Sequence, residues 1–311
     1  MRPAFSVILL TTLIGAGQGL FLTLFAVDAI GSLRGIPTAE LRSFAVVGSV
    51  LSLCLCALGL VASFFHLGHP ERAWRAAAGW RTSWLSREVV ALPAFMASVA
   101  GFVMARHADS PAALSIGLGA ASLAVVLFVC TGMVYVSIRI IREWASSLTV
   151  VNYALLGMAS GATLAAAIAA FLDSDVKEGL VLGAMALIAA GLVTRGASLI
   201  RNARLPVKST LQTAIGVKHP KIVQRSQGAM GGSFNTREFF HGQGADALRN
   251  ALLGFLALGC VVPLVLLAFG FASAVTCSVA FSTQFVGLVA ERWLFFAEAR
   301  HPQNLYYQSI A

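Results

Sequence analysis

The chain reads as a succession of long apolar stretches broken by short polar ones. Apolar windows fall at roughly 5 to 30, 43 to 67, 88 to 106, 112 to 138, 150 to 172, 177 to 199, 248 to 271 and 272 to 296. A hydrocarbon core about 30 Å thick takes about 20 apolar residues per helical crossing, so each window predicts one transmembrane helix. Between Phe271 and Ala274 no charged residue separates the last two windows, so a re-entrant pair could stand in for two crossings there. The reading adopted is an all-α bundle of eight transmembrane helices. It forms a single integral membrane domain over residues 1–311, with a basic loop at about 200–247.

Composition narrows the class further. The 311 residues are 58% hydrophobic and only 11% charged, with a mean hydropathy of +0.82, where soluble domains carry about 25% charged residues. A soluble fold is excluded. Met1-Arg2-Pro3-Ala4 leads straight into a run too long for a signal-peptide core and without a clear cleavage site, so the first run is expected to be a retained helix. The five cysteines, Cys54, Cys56, Cys130, Cys260 and Cys277, all fall inside apolar runs with no CxxC spacing, which suits packing rather than metal binding. Small-residue runs such as Gly117 to Ala121 and Gly157 to Gly161 predict faces where helix backbones approach closely.

Charge sets the orientation. With eight crossings both termini share one side, and that side receives seventeen of the 22 Lys and Arg residues, against four (Arg34, Arg42, Arg106 and Lys177) opposite and Arg195 within helix six. Without the long loop the count is still nine against four. Short cytoplasmic loops carry the excess of Lys and Arg, so both termini are expected in the cytoplasm of a bacterial inner membrane protein. Within the 200–247 loop, Gln227 to His241 mixes Gly, Ser, aromatic and basic residues. It reads either as a surface for anionic lipid headgroups or as a docking surface for a soluble partner. No nucleic-acid partner is expected.

Candidate chemistry gathers at one interface. Haem iron needs axial ligands from facing helices, but His66 and His107 stand at helix ends, His69, His219 and His241 in loops and His301 in the tail, so haem is not expected. The segment from Phe64 to Glu88 concentrates titratable and aromatic groups between helices two and three. A quinone headgroup needs an apolar slot, hydrogen-bond partners at its two carbonyls and a proton route. Imidazole exchanges a proton near neutral pH, so His66 is the candidate donor, Glu88 the relay, Arg72 the group that orients the ring, and Trp74 and Trp84 the walls.

Each of these residues has a plainer alternative. His66 could cap the last turn of helix two. Glu88, just after a possible N-cap at Ser86, could serve the helix dipole. Trp74, Trp80 and Trp84 fit an interfacial aromatic belt, and Arg75, Arg81 and Arg87 fit the positive-inside bias. Tyr135 and Arg139 near the end of helix four, and Glu291, Arg292 and Trp293 near the end of helix eight, lie on the same predicted side as second-tier candidates.

The runs Phe65-His-Leu-Gly68-His-Pro-Glu-Arg72-Ala-Trp74 and Ser83-Trp-Leu-Ser-Arg-Glu88 resemble the signature of the dimethyl sulfoxide reductase anchor subunit family. The run Gly232 to His241 is similar to a loop of its sulfite dehydrogenase branch. The resemblance implies that His66, Gly68 and Glu88 serve quinone binding, the quinone being ubiquinone or menaquinone. It also implies a non-catalytic anchor in a three-subunit enzyme, whose partners hold molybdopterin and iron–sulfur clusters, the iron–sulfur subunit docking on the cytoplasmic face. Electrons from sulfite oxidation would then pass to the quinone pool. A quinol-oxidising reductase of dimethyl sulfoxide or polysulfide type is the alternative within this class. A secondary transporter is the alternative outside it; it would show repeat symmetry and mid-membrane charges, of which Arg195 is the one instance, and that side chain could instead snorkel to the nearby face.

Overall fold

The computed structural model describes residues 1–34, 39–206, 210–223, 242–270 and 272–302. Eight helices are long and apolar enough to cross a membrane: α1 (Phe5–Leu33), α2 (Ala39–Phe64), α3 (Trp84–His107), α4 (Ala113–Val136), α5 (Ser147–Phe171), α6 (Lys177–Ala203), α7 (Ala245–Phe269) and α8 (Ala274–Ala297). The eight predicted crossings are all present, and the described residues contain no strand. Ser273 caps α8 through a 3.2 Å bond from Thr276 N, so α7 and α8 are separate crossings where the sequence left a re-entrant pair open. Of the long loop, a short helix at Leu211–Ile215 is described, while Gly232 to His241 lies outside the described residues.

Local rules explain the turns. Two helix ends, at Asp109 and Asp173, place an aspartate at φ 51°. In each case the following serine amide bonds back to the last turn, Ser110 N to Ala105 O and Ser174 N to Ala169 O. The short side chain of Asp tolerates the left-handed conformation that usually takes glycine. In α7, Pro263 has no N–H for the carbonyl four residues back. The preceding stretch Phe255–Val261 widens to π-helical turns, a common way to absorb such a mismatch.

Packing places α1 and α5 at the centre, each buried along most of its length, with the other helices around them. Gly15 and Gly19 of α1 face Gly157 and Gly161 of α5 so closely that a Cβ at Gly19 or Gly161 would strike the partner backbone. Gly259 of α7 and Gly287 of α8 meet in the same way. Lipid tails are as apolar as the helices themselves, so close van der Waals packing rather than hydrophobic exclusion holds these pairs. Of the cysteines, Cys56, Cys130, Cys260 and Cys277 are buried and Cys54 is exposed, all as free thiols.

The two membrane faces differ in how their cations are held. On the face away from the termini, Arg106 pairs with buried Asp28 and bonds Ser32 at 2.8 Å, Arg42 pairs with Asp109 at 2.8 Å, and Lys177 pairs with Asp173. The Lys177 ammonium holds the exposed Asp173 carboxyl below its usual range. Three of that face's four basic residues are thus matched with acids. On the other face Met1 reaches Ala299 O at 2.9 Å, joining the two ends of the chain.

Candidate functional site

Helix α3 starts earlier than its apolar window suggests. Ser83 is the N-cap, accepting from Ser86 N at 3.4 Å, so Trp84 opens the helix and Glu88 falls in its second turn. Ser86 is therefore inside the helix rather than its cap. Glu88 has a specific partner instead of a dipole role, because Thr131 Oγ1 on α4 donates to Glu88 Oε1 at 2.6 Å.

Glu88 lines a narrow cavity of about 30 Å³, open at one end, that runs inward among α1, α3, α4, α5 and α8. Gln18 and Thr11 enter from α1, Thr131 from α4, Tyr153 and Ser160 from α5, and Arg292 from α8. Leu10, Ile14, Phe128, Leu156 and Leu288 make the apolar wall. Gln18 is 1% exposed and its Oε1 has no hydrogen-bond partner among the described residues, as is true of Arg292 Nη1. Buried polar atoms are nearly always satisfied, so this cavity presents an amide acceptor and a guanidinium donor to whatever enters it.

Aromatic and ionic packing fixes the end of the cavity nearer the termini. Arg292 lies over the Tyr153 ring, 3.9 Å from its centroid, and Tyr153 stacks on Tyr135 at 5.4 Å. Trp144 donates from its indole nitrogen to Phe295 O at 3.1 Å, closing a cluster of rings around Tyr135. Glu291, fully buried, ion-pairs with Arg292 on one side and with Arg195 at 2.7 Å on the other. Arg195 is 3% exposed and also meets Glu298 at 3.3 Å, so it turns inward and does not snorkel.

The residues singled out from sequence separate into two groups. Glu88 and Arg292 line the cavity, and Tyr135 backs Tyr153, which lines it. His66, Gly68, Arg72, Trp74 and Trp84 are outside its lining. His66 and Gly68 lie in the exposed turn after α2, which ends at Phe64 rather than near residue 67. Partial burial nonetheless pushes the His66 imidazole below its ordinary value.

Arg72 and Trp74 sit on the exposed 3₁₀ segment Pro70–Gly79, where Glu71 joins His69 at 3.0 Å and Arg72 at 3.7 Å. Trp74, Trp80 and Trp84 each carry an arginine over the ring, Arg75, Arg81 and Arg87 in turn. Arg139 is exposed just past α4. The expected pocket between α2 and α3 is thus not where the buried polar groups converge: the cavity lies behind α3, against α1 and α5.

Sequence reasoning missed Gln18, Thr131, Tyr153 and Ser160. The signal for Gln18, Tyr153 and Ser160 is the spacing of polar residues within apolar helices, since Thr11, Ile14, Gly15 and Gln18, like Tyr153, Leu156, Gly157 and Ser160, follow the i, i+3, i+4, i+7 stripe of one helix face.

The model of the family described as DMSO reductase anchor subunit (DmsC) matches residues 1–297. Over 328 aligned residues, covering 100% of both chains, the protein is 50% identical to a subunit of the sulfite dehydrogenase of Allochromatium vinosum. A membrane-embedded chain of eight crossings, matched by that family model over nearly its whole length, belongs to the DMSO reductase anchor subunit family.

Proposed function

We propose that this chain is the membrane anchor and quinone-binding subunit of a three-subunit molybdopterin oxidoreductase, passing electrons from sulfite oxidation to the quinone pool. The observation that carries the reading is the cavity behind Glu88, with an apolar wall and polar groups at intervals along it. A quinone ring requires that combination, and the space of about 30 Å³ must widen by side-chain movement to admit it. The name of the relative, a sulfite dehydrogenase subunit, supports sulfite as the electron source. A partner with iron–sulfur clusters would deliver the electrons and a molybdopterin partner would oxidise the substrate; ubiquinone or menaquinone would accept.

In this reading Glu88, oriented by Thr131, exchanges a proton with one quinone oxygen. Arg292 and Gln18 hold the headgroup through the donor and acceptor they leave unpaired. His66, exposed at the end of α2 with its imidazole pushed toward the neutral form, accepts a proton at the surface on the side where α3 begins. The bias of Lys and Arg toward the side of the termini supports placing that side in the cytoplasm of a bacterial inner membrane. The exposed Arg–Trp pairs from Trp74 to Arg87 would lie there, beside the docking iron–sulfur subunit.

The test uses the purified complex of all three subunits. Glu88→Gln and His66→Ala should keep sulfite oxidation with an artificial acceptor and lose quinone reduction. Quinone reduction at the wild-type rate in the Glu88 variant would overturn the assignment of the cavity.

A further inference from the structure

A second cavity adjoins the first. It is small, about 10 Å³, room for about one water, and Tyr153 and Arg292 belong to the walls of both. Its outer end is Glu143, in the partly exposed connection between α4 and α5, together with Asn202 in the last turn of α6. Its inner end is the buried Glu291, held between Arg195 and Arg292. Between them Asn152 donates to Ser198 Oγ at 2.8 Å and leaves its Oδ1 without a partner among the described residues.

A membrane-embedded carboxylate with two guanidiniums is costly to bury and marks a functional path more often than a structural one. Here it ties α6 to α8 through Arg195 and also stands on the wall of the second cavity. Asn152 Oδ1 and the Tyr153 hydroxyl, both on this cavity's wall and both without a partner among the described residues, are the partners a bound water requires. Together these groups line a polar space, wide enough for about one water, between Glu143 and the wall of the first cavity.

We propose that this second cavity is a proton inlet for the first: protons enter at Glu143, pass along bound water beside Asn152 and Glu291, and reach the Tyr153–Arg292 wall. The proposal rests on the quinone reading given above. Reduction of one quinone to quinol takes two electrons, supplied by the partner's iron–sulfur carrier, and two protons. One proton goes to each oxygen, so the site must be resupplied from water at every turnover. Glu291 acts as a positioning residue, ordering the water and the Arg292 guanidinium rather than touching quinone.

The assembled complex tests this with Glu291→Gln, which keeps the shape but removes the charge and replaces one accepting oxygen with an amide donor. Quinone turnover should fall about tenfold or more, the scale of a lost proton-transfer group. In Glu143→Gln, which touches no headgroup-holding residue, turnover should fall with the KM for quinone within about twofold, and oxidation with an artificial acceptor should be unchanged in both variants. Added azide or formate, small weak acids able to carry protons through the gap, should restore part of the lost rate. A merely structural defect would not be rescued in that way.

If Glu291→Gln fails to assemble, Asn152→Leu, which closes the space with an apolar side chain, and Glu143→Gln at its mouth are read by the same assays. Full quinone turnover in variants that assemble, a rise in KM at unchanged kcat, or absence of rescue would each overturn the inlet. Loss of turnover in Glu88→Gln alone leaves the quinone site standing and the inlet refuted, whereas normal turnover in Glu88→Gln refutes the quinone site itself.

Discussion

Thr131 Oγ1 donates a 2.6 Å hydrogen bond to Glu88 Oε1, joining the end of α4 to the start of α3 inside the bundle. Hydrogen bonds to charged groups contribute roughly 1.5–3 kcal/mol, enough to decide which way a carboxylate points. Thr131→Val keeps the branched shape and removes the donor. In the assembled complex kcat/KM for quinone should drop about tenfold, the kinetic equivalent of about 1.4 kcal/mol, with the artificial-acceptor rate unchanged and Thr131→Ser near wild type. Wild-type kinetics in Thr131→Val would mean that the bond does not set the carboxylate's working position.

Glu291 is the hub of the buried charges, because it serves two guanidiniums while each guanidinium has a further contact. Arg195 also meets Glu298, and Arg292 lies over Tyr153. Removing Glu291 takes from Arg292 its acidic partner and leaves Arg195 only the 3.3 Å contact with Glu298, whereas removing Arg195 leaves Glu291 paired with Arg292. Breaking a buried pair from one side costs about 3–5 kcal/mol. Glu291→Ala should therefore lower the thermal midpoint in detergent well below that of Arg195→Ala. The reverse order would show that Arg195 carries the cluster.

The helices were legible in the sequence and the cavity was only half so, for a physical reason. Membrane crossings are set by length and mean hydropathy, which survive any uncertainty about neighbours. A cavity depends on which faces meet. Glu88 stood out because it is charged beside an apolar run, whereas Gln18, Tyr153 and Thr131 are ordinary polar residues until α1, α4 and α5 are packed together. The segment His66 to Trp74 is dense in functional groups, but its 3₁₀ turns keep Arg72 and Trp74 on the surface. The runs around Gly157 and Gly117 were readable as contact faces, and the first of these proves to be the seam between the two central helices.

That seam gives a sharp contrast between two glycines. A Cβ at Gly161 would strike the backbone of Gly19 and Leu20, which no rotamer change can relieve, while a Cβ at Gly119 meets nothing within 4 Å. Overpacking a tight contact costs about 1–3 kcal/mol even where side chains can adjust. In an exposed helix, Gly to Ala is favourable by up to about 1 kcal/mol. Gly161→Ala should reduce both the yield of monodisperse protein in detergent and its thermal midpoint, and Gly119→Ala should lower neither. Equal behaviour of the two variants would contradict the close approach of α1 and α5.

Glu298, just past the end of α8, gives the fold a pH dependence of definite sign. Burial raises its carboxyl above the ordinary value of 4.5, outweighing Arg195 at 3.3 Å, and Glu291 and Glu143 push in the same direction. The folded state therefore holds this proton more tightly than the unfolded chain. The stability it contributes is complete below the unfolded value and is lost as pH rises through the folded one. Glu298→Gln is neutral at every pH, so it should match the wild type in acid and exceed it in thermal midpoint near neutrality. Midpoints measured between roughly pH 4 and pH 8 would decide. A variant that melts below the wild type at neutral pH would show that the ion pair with Arg195 outweighs the cost of burying the charge.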